Sequence, residues 1–101
     1  QAMPESQILR DALAVYGGKN QKIVAIEEMA ELQKELCKNL RGEQNYSHLA
    51  EEIADVQIML EQMIMLYDCR ADVVRWRREK LERLKELMSA FARMTETAKG
   101  G

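Results

Sequence analysis

Residues 47–67 read SHLAEEIADVQIMLEQMIMLY, and this stretch decides the fold class. Its apolar side chains return every three or four residues, which is the period of an α-helix. Ser47 is a favourable residue for the N-cap of a helix, and Glu51 and Glu52 follow close to the first turn, where carboxylates are stabilised. The stretch therefore predicts a helix from about Ser47 to Tyr67.

The same period continues on both sides of this helix and predicts three further helices. The first covers about 6–16 and is ended by Gly17 and Gly18, because glycine closes a helix in a left-handed conformation at little cost. The second covers about 20–40, and a polar loop over 42–46 joins it to the third helix as an antiparallel neighbour. The fourth covers about 72–95. We therefore predict an all-α fold, a four-helix bundle.

The chain length and composition exclude several classes of protein. A chain of 101 residues predicts one domain over 1–101, and a formal net charge of −2 lacks the basic surplus of a nucleic-acid binder. The apolar stretches are too short to span a membrane, and the first residues do not resemble a signal peptide. Cys37 and Cys69 match no metal or redox spacing, so we expect ordinary core residues. The predicted location is the cytoplasm.

The fourth helix carries an apolar seam of a different character. Val74, Leu81, Leu84, Met88 and Phe91 recur at spacings of three, four or seven residues, as in a coiled coil. A helix of this length in so short a chain is expected to pack partly against another subunit, which predicts a dimer or a larger oligomer.

Two acidic clusters lie on the second and third helices. Each contains two acids three residues apart, Glu28 with Glu31 and Glu52 with Asp55. At 3.6 residues per turn, the members of each pair lie on one helix face. The alternative for the second helix is a solvated face with local ion pairs, which would join Glu31 to Lys34 and Glu35 to Lys38.

That alternative explains the third helix less well. On a helical wheel Glu52 falls inside the apolar arc and Asp55 at its edge, and a carboxylate facing a core is costly unless it is paired or binds a metal. Neither Lys nor Arg occurs between Arg41 and Arg70, and His48 compensates only when protonated. The compensating cation must therefore come from another helix or from solution.

Four carboxylates on two neighbouring helices would form a site with oxygen ligands alone. Such a ligand set suits Mg²⁺ or Mn²⁺ and does not suit zinc or copper. Mg²⁺ also takes phosphate oxygens as ligands, so the site would suit a polyphosphate. Basic residues that could meet this polyphosphate include Lys22 and a group on the fourth helix, whose individual members also fit a solvated face. If the polyphosphate belongs to a nucleotide, the aromatic side chains that could stack on its nucleobase are Tyr16, Tyr46, His48 and Trp76.

The two clusters together resemble the motif of the MazG-like family of all-α nucleoside triphosphate pyrophosphohydrolases. The first, of the form E-E-x-x-E, and the second, of the form E-E-x-A-D, are formed by Glu27, Glu28, Glu31, Glu51, Glu52 and Asp55. The resemblance covers roughly residues 21–87, and the chain departs from tandem members in having one such domain. It implies a MazG-like bundle completed by oligomerisation as a homodimer or homotetramer.

The resemblance also implies an activity and a set of site residues. The activity is hydrolysis of a nucleoside or deoxynucleoside triphosphate to the monophosphate and pyrophosphate, for example in removing unwanted nucleotides from the cellular pool. The implied metal ligands are Glu28, Glu31, Glu52 and Asp55. Glu27 and Glu51, together with Glu28, are the candidates for accepting the proton of the attacking water. Substrate contacts are expected from Lys22, His48, Lys80 and Arg83, of which the Lys and Arg side chains would hold charge on the leaving pyrophosphate.

Two other functions could use a small helical chain with acidic faces. A carboxylate-bridged di-iron bundle requires Glu-x-x-His on two helices, whereas the single histidine, His48, precedes its acid, Glu51. A non-enzymatic helical interaction module would explain the acidic faces as solubilising and the fourth helix as an assembly element. It does not explain why Glu52 lies in an apolar arc.

Overall fold

The computed structural model describes the backbone of residues 3–100 and the side chains of residues 3–98. All regular secondary structure in this part of the chain is helical, which confirms the all-α prediction. The four helices are α1 (Glu5–Tyr16), α2 (Gly18–Leu40), α3 (Tyr46–Tyr67) and α4 (Arg70–Gly100). None of the described helices combines the length and the apolar character that crossing a membrane requires.

The chain divides into two compact units between Asp68 and Cys69. The first unit contains α1, α2 and α3, and the second consists of α4. The predicted single domain over 1–101 stays a prediction, and residues 1, 2 and 101 lie outside the described part.

The centre of the first unit is the contact between α2 and α3, the most extensive helix contact in the unit. Residues with higher numbers on α2 contact residues with lower numbers on α3, so the two helices run antiparallel, as predicted. Gly18 lies against Leu66 so closely that a Cβ on the glycine would stand 2.8 Å from Leu66 Cδ1. Further along the pair, Glu28 lies beside Glu52, and near the loop Glu35 meets Asn45.

The surfaces of α2 and α3 that the fold removes from solvent are unusually polar. Spacings of three and four residues place the shielded side chains on one face of each helix. Among them are Gln21, Ala25, Glu28, Leu32 and Glu35 on α2 and Glu52, Asp55, Met59 and Gln62 on α3. We call these two faces the α2–α3 seam. Because the seam contains carboxylates and amides as well as apolar groups, each polar atom in it requires a partner.

The apolar core is small. Among the described residues, the buried hydrophobic side chains are Leu9 on α1, Ala25 on α2 and Met59 on α3. The turn before α2 consists of Gly17 alone, with φ 87° and ψ 149°, a conformation that only glycine adopts readily. The predicted end of α1 after Tyr16 is therefore confirmed, but Gly18, predicted to help end α1, instead begins α2, two residues earlier than expected.

The beginning of α3 corrects the predicted N-cap. The helix starts at Tyr46 with Asn45 at the N-cap position, and Asn45 makes no capping hydrogen bond with its side chain. Ser47, the expected cap, lies inside the first turn. The Asn45 side chain instead donates across the loop to Glu35 on α2.

Helix α4 is longer than the predicted 72–95 at both ends. It begins earlier because Val73 N–H donates to the carbonyl oxygen of Cys69 at 2.9 Å. It continues past residue 95, where the hydroxyls of Thr95 and Thr97 donate to carbonyl oxygens four residues earlier, each at 2.9 Å. These bonds keep both polar side chains compatible with a helix.

The prediction that both cysteines are core residues is wrong for Cys37. This thiol is exposed, while Cys69 is partly buried. Cys37 follows the buried Glu35 by two residues, which turns its side chain about 200° around α2 and away from the α2–α3 seam.

Candidate metal centre

Three of the predicted metal ligands come together on the α2–α3 seam. Glu28 on α2 and Glu52 and Asp55 on α3 each offer one carboxylate oxygen, and these atoms lie within 4.8 Å of one another. All three side chains are partly buried. We call these residues the acidic cluster. Antiparallel packing forms it, because the helices bring positions 28 and 52 together although 24 residues separate them along the chain.

The electrostatics of the acidic cluster favour the binding of a positive species. Burial, followed by hydrogen bonding to Glu52 and the negative charge of Asp55, raises the pKa of Glu28 to about 7. Three carboxylates so close together cannot all ionise without strong repulsion. The cluster therefore relieves this repulsion by binding a proton or a metal cation.

One oxygen of Glu52 has no hydrogen-bonding partner. Oε2 is buried and, among the described residues, receives no hydrogen bond. A carboxylate oxygen removed from water without compensation costs free energy, which a metal ion would recover. Burial also shows which side of the predicted apolar arc of α3 faces the inside of the first unit. Glu52 lies on its buried side near Met59, whereas Ile53 and Leu60 on the other side are nearly half exposed.

The size of the acidic cluster fits a small divalent cation. Oxygens on opposite sides of Mg²⁺, each about 2.1 Å from the ion, are about 4.2 Å apart. Adjacent oxygens of the same octahedron are about 3.0 Å apart, so the three oxygens, which lie within 4.8 Å of one another, would move closer together around a bound ion. The donors are all carboxylate oxygens, the ligand type that Mg²⁺ and Mn²⁺ prefer.

Glu31, the fourth predicted ligand, lies outside the acidic cluster. Its side chain is 51% exposed, and its Oε2 lies 4.0 Å from Lys34 Nζ. Glu35 Oε1 lies 3.6 Å from Lys38 Nζ, so both local ion pairs expected on α2 are present. The solvated-face interpretation thus suits Glu31 and does not suit Glu28. Glu31 follows Glu28 by one turn, and its role as a ligand stays a prediction.

The predicted proton acceptors besides Glu28 are exposed. Glu27 and Glu51 each precede a member of the acidic cluster in sequence, but a step of one residue turns a side chain about 100° around the helix. Both therefore lie at the outer side of the α2–α3 pair, in contact with solvent. Their part in catalysis stays a prediction.

The predicted substrate contacts are distributed over both units. In the first unit, His48 is exposed, and Lys22 is exposed with Nζ 5.0 Å from the ring centroid of Tyr67. Lys80 and Arg83 belong to α4 in the second unit, where Lys80 Nζ lies 5.9 Å from the Trp76 ring centroid. The candidate aromatic contacts Tyr16, Tyr46 and Trp76 are exposed, as the contact with a nucleotide base requires.

Sequence reasoning did not select the two buried glutamines of the seam. Gln21 precedes Glu28 by seven residues and Gln62 follows Asp55 by seven, so each lies two turns from the acidic cluster on the same face. They are 5% and 4% exposed, and Gln62 Oε1 has no hydrogen-bonding partner in the described part of the chain. The seven-residue spacing from acids already singled out was the signal for both.

No protein-family model, curated protein or solved structure matches this chain. The chemistry of the acidic cluster and the paired sequence motif are therefore the guides to function.

Proposed function

We propose that this chain hydrolyses a nucleoside or deoxynucleoside triphosphate to the monophosphate and pyrophosphate with Mg²⁺, or Mn²⁺ in its place. The observation that carries the proposal is the convergence of Glu28, Glu52 and Asp55 within 4.8 Å from two helices. The buried, unpartnered oxygen of Glu52 supports a cation at this place. The paired acidic motif, which resembles that of MazG-like enzymes, supports a triphosphate as the substrate.

In this proposal the acidic cluster holds the metal, and Glu31, one turn beyond Glu28, is the fourth ligand. A bound Mg²⁺ would neutralise triphosphate charge and make the α-phosphorus more electrophilic. The protein contributes the positions of the ligands, which the antiparallel pair of helices fixes from both sides.

The remaining roles follow from charge and exposure. Glu27, Glu51 or Glu28 accepts the proton of the attacking water, because a nearby carboxylate is the base that this site offers. Lys22, which lies on α2 with Glu28, holds the negative charge that develops on the leaving pyrophosphate. His48, exposed at the start of α3, lines the substrate side of the site.

We also propose that the chain works as a homodimer or homotetramer with a MazG-like bundle completed between subunits. The support is the apolar surface of the first unit. Ile26 on α2 is 64% exposed, and Ile53 and Leu60 on α3 are 46% and 48% exposed. Both helices therefore leave apolar side chains in solvent that a second copy could cover.

A non-enzymatic interaction module remains the second candidate, since the same exposed apolar side chains favour it. It differs from the enzyme in its prediction for Glu52. In an interaction module the buried Glu52 oxygen without a partner would only cost stability, whereas in a metal site this oxygen is free to bind the ion.

Incubation with each canonical deoxynucleoside triphosphate, with and without millimolar Mg²⁺, tests the proposal. We expect pyrophosphate and the monophosphate in equal amounts, with release that depends on the metal. Glu52→Gln should abolish release, while Glu43→Gln, a matched change at an exposed loop acid, should retain it. Release of inorganic phosphate instead of pyrophosphate, or a parent rate in Glu52→Gln, would contradict the proposal.

A further inference from the structure

Helix α4 presents an apolar face that includes an arginine. Val74, Leu81, Leu84 and Phe91 are each at least half exposed and recur at spacings of seven and three residues. Arg77 occupies the position that Leu84 takes one heptad later and Phe91 two heptads later. Two shallow grooves run along this face, and both are lined by Arg77 and Leu81. Arg77 therefore interrupts the apolar pattern of this face with a positive charge.

The charges of α4 are distributed asymmetrically around this face. Arg78 and Lys85 flank it on the side of Leu81 and line one groove, whose outer edge also includes Glu82. The acids of this half of the helix lie about 100° to 160° around the axis from Leu81 and are Glu79, Glu82 and Glu86. Arg75 and Lys85 have partners in Asp72 and Glu82 at 3.6 and 3.7 Å, whereas Arg77 has no carboxylate partner among the described residues.

We propose that this face of α4 is a docking surface for an acidic amphipathic helix of a partner protein. The apolar side chains of the partner would pack between Leu81, Leu84 and Phe91, as knobs pack into holes in a coiled coil. A carboxylate of the partner would meet Arg77, and its flanking acids would meet Arg78 and Lys85. The proposal goes beyond the proposed hydrolase activity and does not depend on it.

The charges of this face favour an acidic helix over two other occupants, a second copy of α4 and an anionic lipid surface. Pairing α4 in parallel with a second α4 would place Arg77 against Arg77, and antiparallel pairing would bring the flanking Arg78 and Lys85 residues of both copies together. An anionic lipid surface would attract the flanking cations but would bury Arg77 among acyl chains without a counter-charge. An acidic helix supplies both apolar contacts and a counter-charge.

A synthetic helix provides the test. The probe is a tryptophan-free peptide of four heptads, with Leu at the two core positions except for one central Glu that can face Arg77, and with Glu at the two flanking positions. The control peptide carries Lys in place of each Glu. Trp76 is the single tryptophan of the chain and lines one of the two grooves, so its emission reports occupation. We expect a saturable change with the acidic peptide alone.

Matched variants of the protein then identify the contact. Arg77→Glu should weaken binding of the acidic peptide by roughly tenfold or more, because a charge pair becomes a like-charge repulsion. Arg93→Glu, on the opposite side of α4, should leave the affinity unchanged, and circular dichroism should show equal helix content in both variants. Equal binding of the two peptides, or an unchanged affinity in Arg77→Glu, would overturn the proposal.

Two further measurements detect the other occupants. A change in Trp76 emission on adding vesicles of phosphatidylserine and phosphatidylcholine, unaffected by Arg77→Glu, would assign the face to a lipid surface. Self-association in sedimentation that Leu84→Asp abolishes would assign it to a second copy of the chain. Either result would replace the acidic helix as the occupant.

Discussion

Asn45 binds Glu35 twice through a single amide nitrogen. Its Nδ2 donates to the backbone carbonyl oxygen of Glu35 at 2.9 Å and to Glu35 Oε2 at 2.8 Å. This hydrogen bond, followed by the charge of Lys38, holds the pKa of the Glu35 carboxyl below its usual value despite its burial. The loop between α2 and α3 is therefore attached to α2 by a side chain that belongs to neither helix.

The attachment predicts that Asn45 matters more for stability than Ser47 does. Asn45→Ala should lower the free energy of unfolding by about 1–3 kcal/mol, because it leaves a buried carboxylate without its donor. Ser47→Ala should change it by no more than about 0.5 kcal/mol, since the serine caps no helix. Urea denaturation of both variants measures the difference. A larger loss in Ser47→Ala would show that the serine acts as the cap after all.

The raised pKa of Glu28 predicts that the metal-free protein loses stability as the pH rises. Between its unfolded value near 4.5 and its folded value of about 7, Glu28 binds more proton in the folded state. The free energy of unfolding should therefore fall with pH across this window and level off above it. Glu28→Gln should flatten this slope in denaturation experiments between pH 4.5 and 8. A slope as steep as in the parent would assign the effect to other groups.

Divalent metal should stabilise the folded chain at pH 8, where the carboxylates of the acidic cluster repel each other most. A ligand that binds only the folded state contributes about 2.7 kcal/mol when its concentration exceeds the Kd by 100-fold. We expect Tm to rise with Mg²⁺ concentration and not with KCl at the same ionic strength. A Tm that responds equally to both salts would reflect screening of charge and would contradict a metal site.

Glu52→Gln separates a metal ligand from a structural acid when activity and metal-free stability are both measured. If Glu52 is a ligand, activity collapses, while metal-free stability holds or rises because one repelling charge is lost. If Glu52 is paired with an arginine instead, its removal should cost about 3–5 kcal/mol without metal. A variant of parent activity would exclude Glu52 from the site.

The helices and the position of Glu52 on the buried side of α3 were predictable because their signals are local. The 3.6-residue period defined all four helices, and Gly17 marked the end of α1 without any knowledge of its neighbours. Glu52 was identifiable because α3 offers no lysine or arginine near it. Each of these inferences needs only residues within a few turns of one another.

The rest depended on contacts between helices. Glu28 and Glu31 have the same local pattern, and only the packing of α2 against α3 decides that Glu28 joins the acidic cluster while Glu31 faces Lys34. Asn45 precedes a helix in the manner of a cap, yet its partner Glu35 lies ten residues back, across the loop. Cys37 has apolar neighbours in sequence and still faces solvent.

The polar groups of the α2–α3 seam also fix its register. Glu28 and Glu35 are seven residues apart on α2, and their partners Asn45 and Glu52 are seven apart in the other direction. A slip of one heptad preserves the apolar pattern but sets Glu35 against Glu52 and leaves Asn45 without an acceptor. The native alignment also places acid beside acid, Glu28 next to Glu52, so what disfavours the slip is the loss of the two hydrogen bonds from Asn45 to Glu35. The contact between Asn45 and Glu35 thus helps to select the alignment in which the acidic cluster forms.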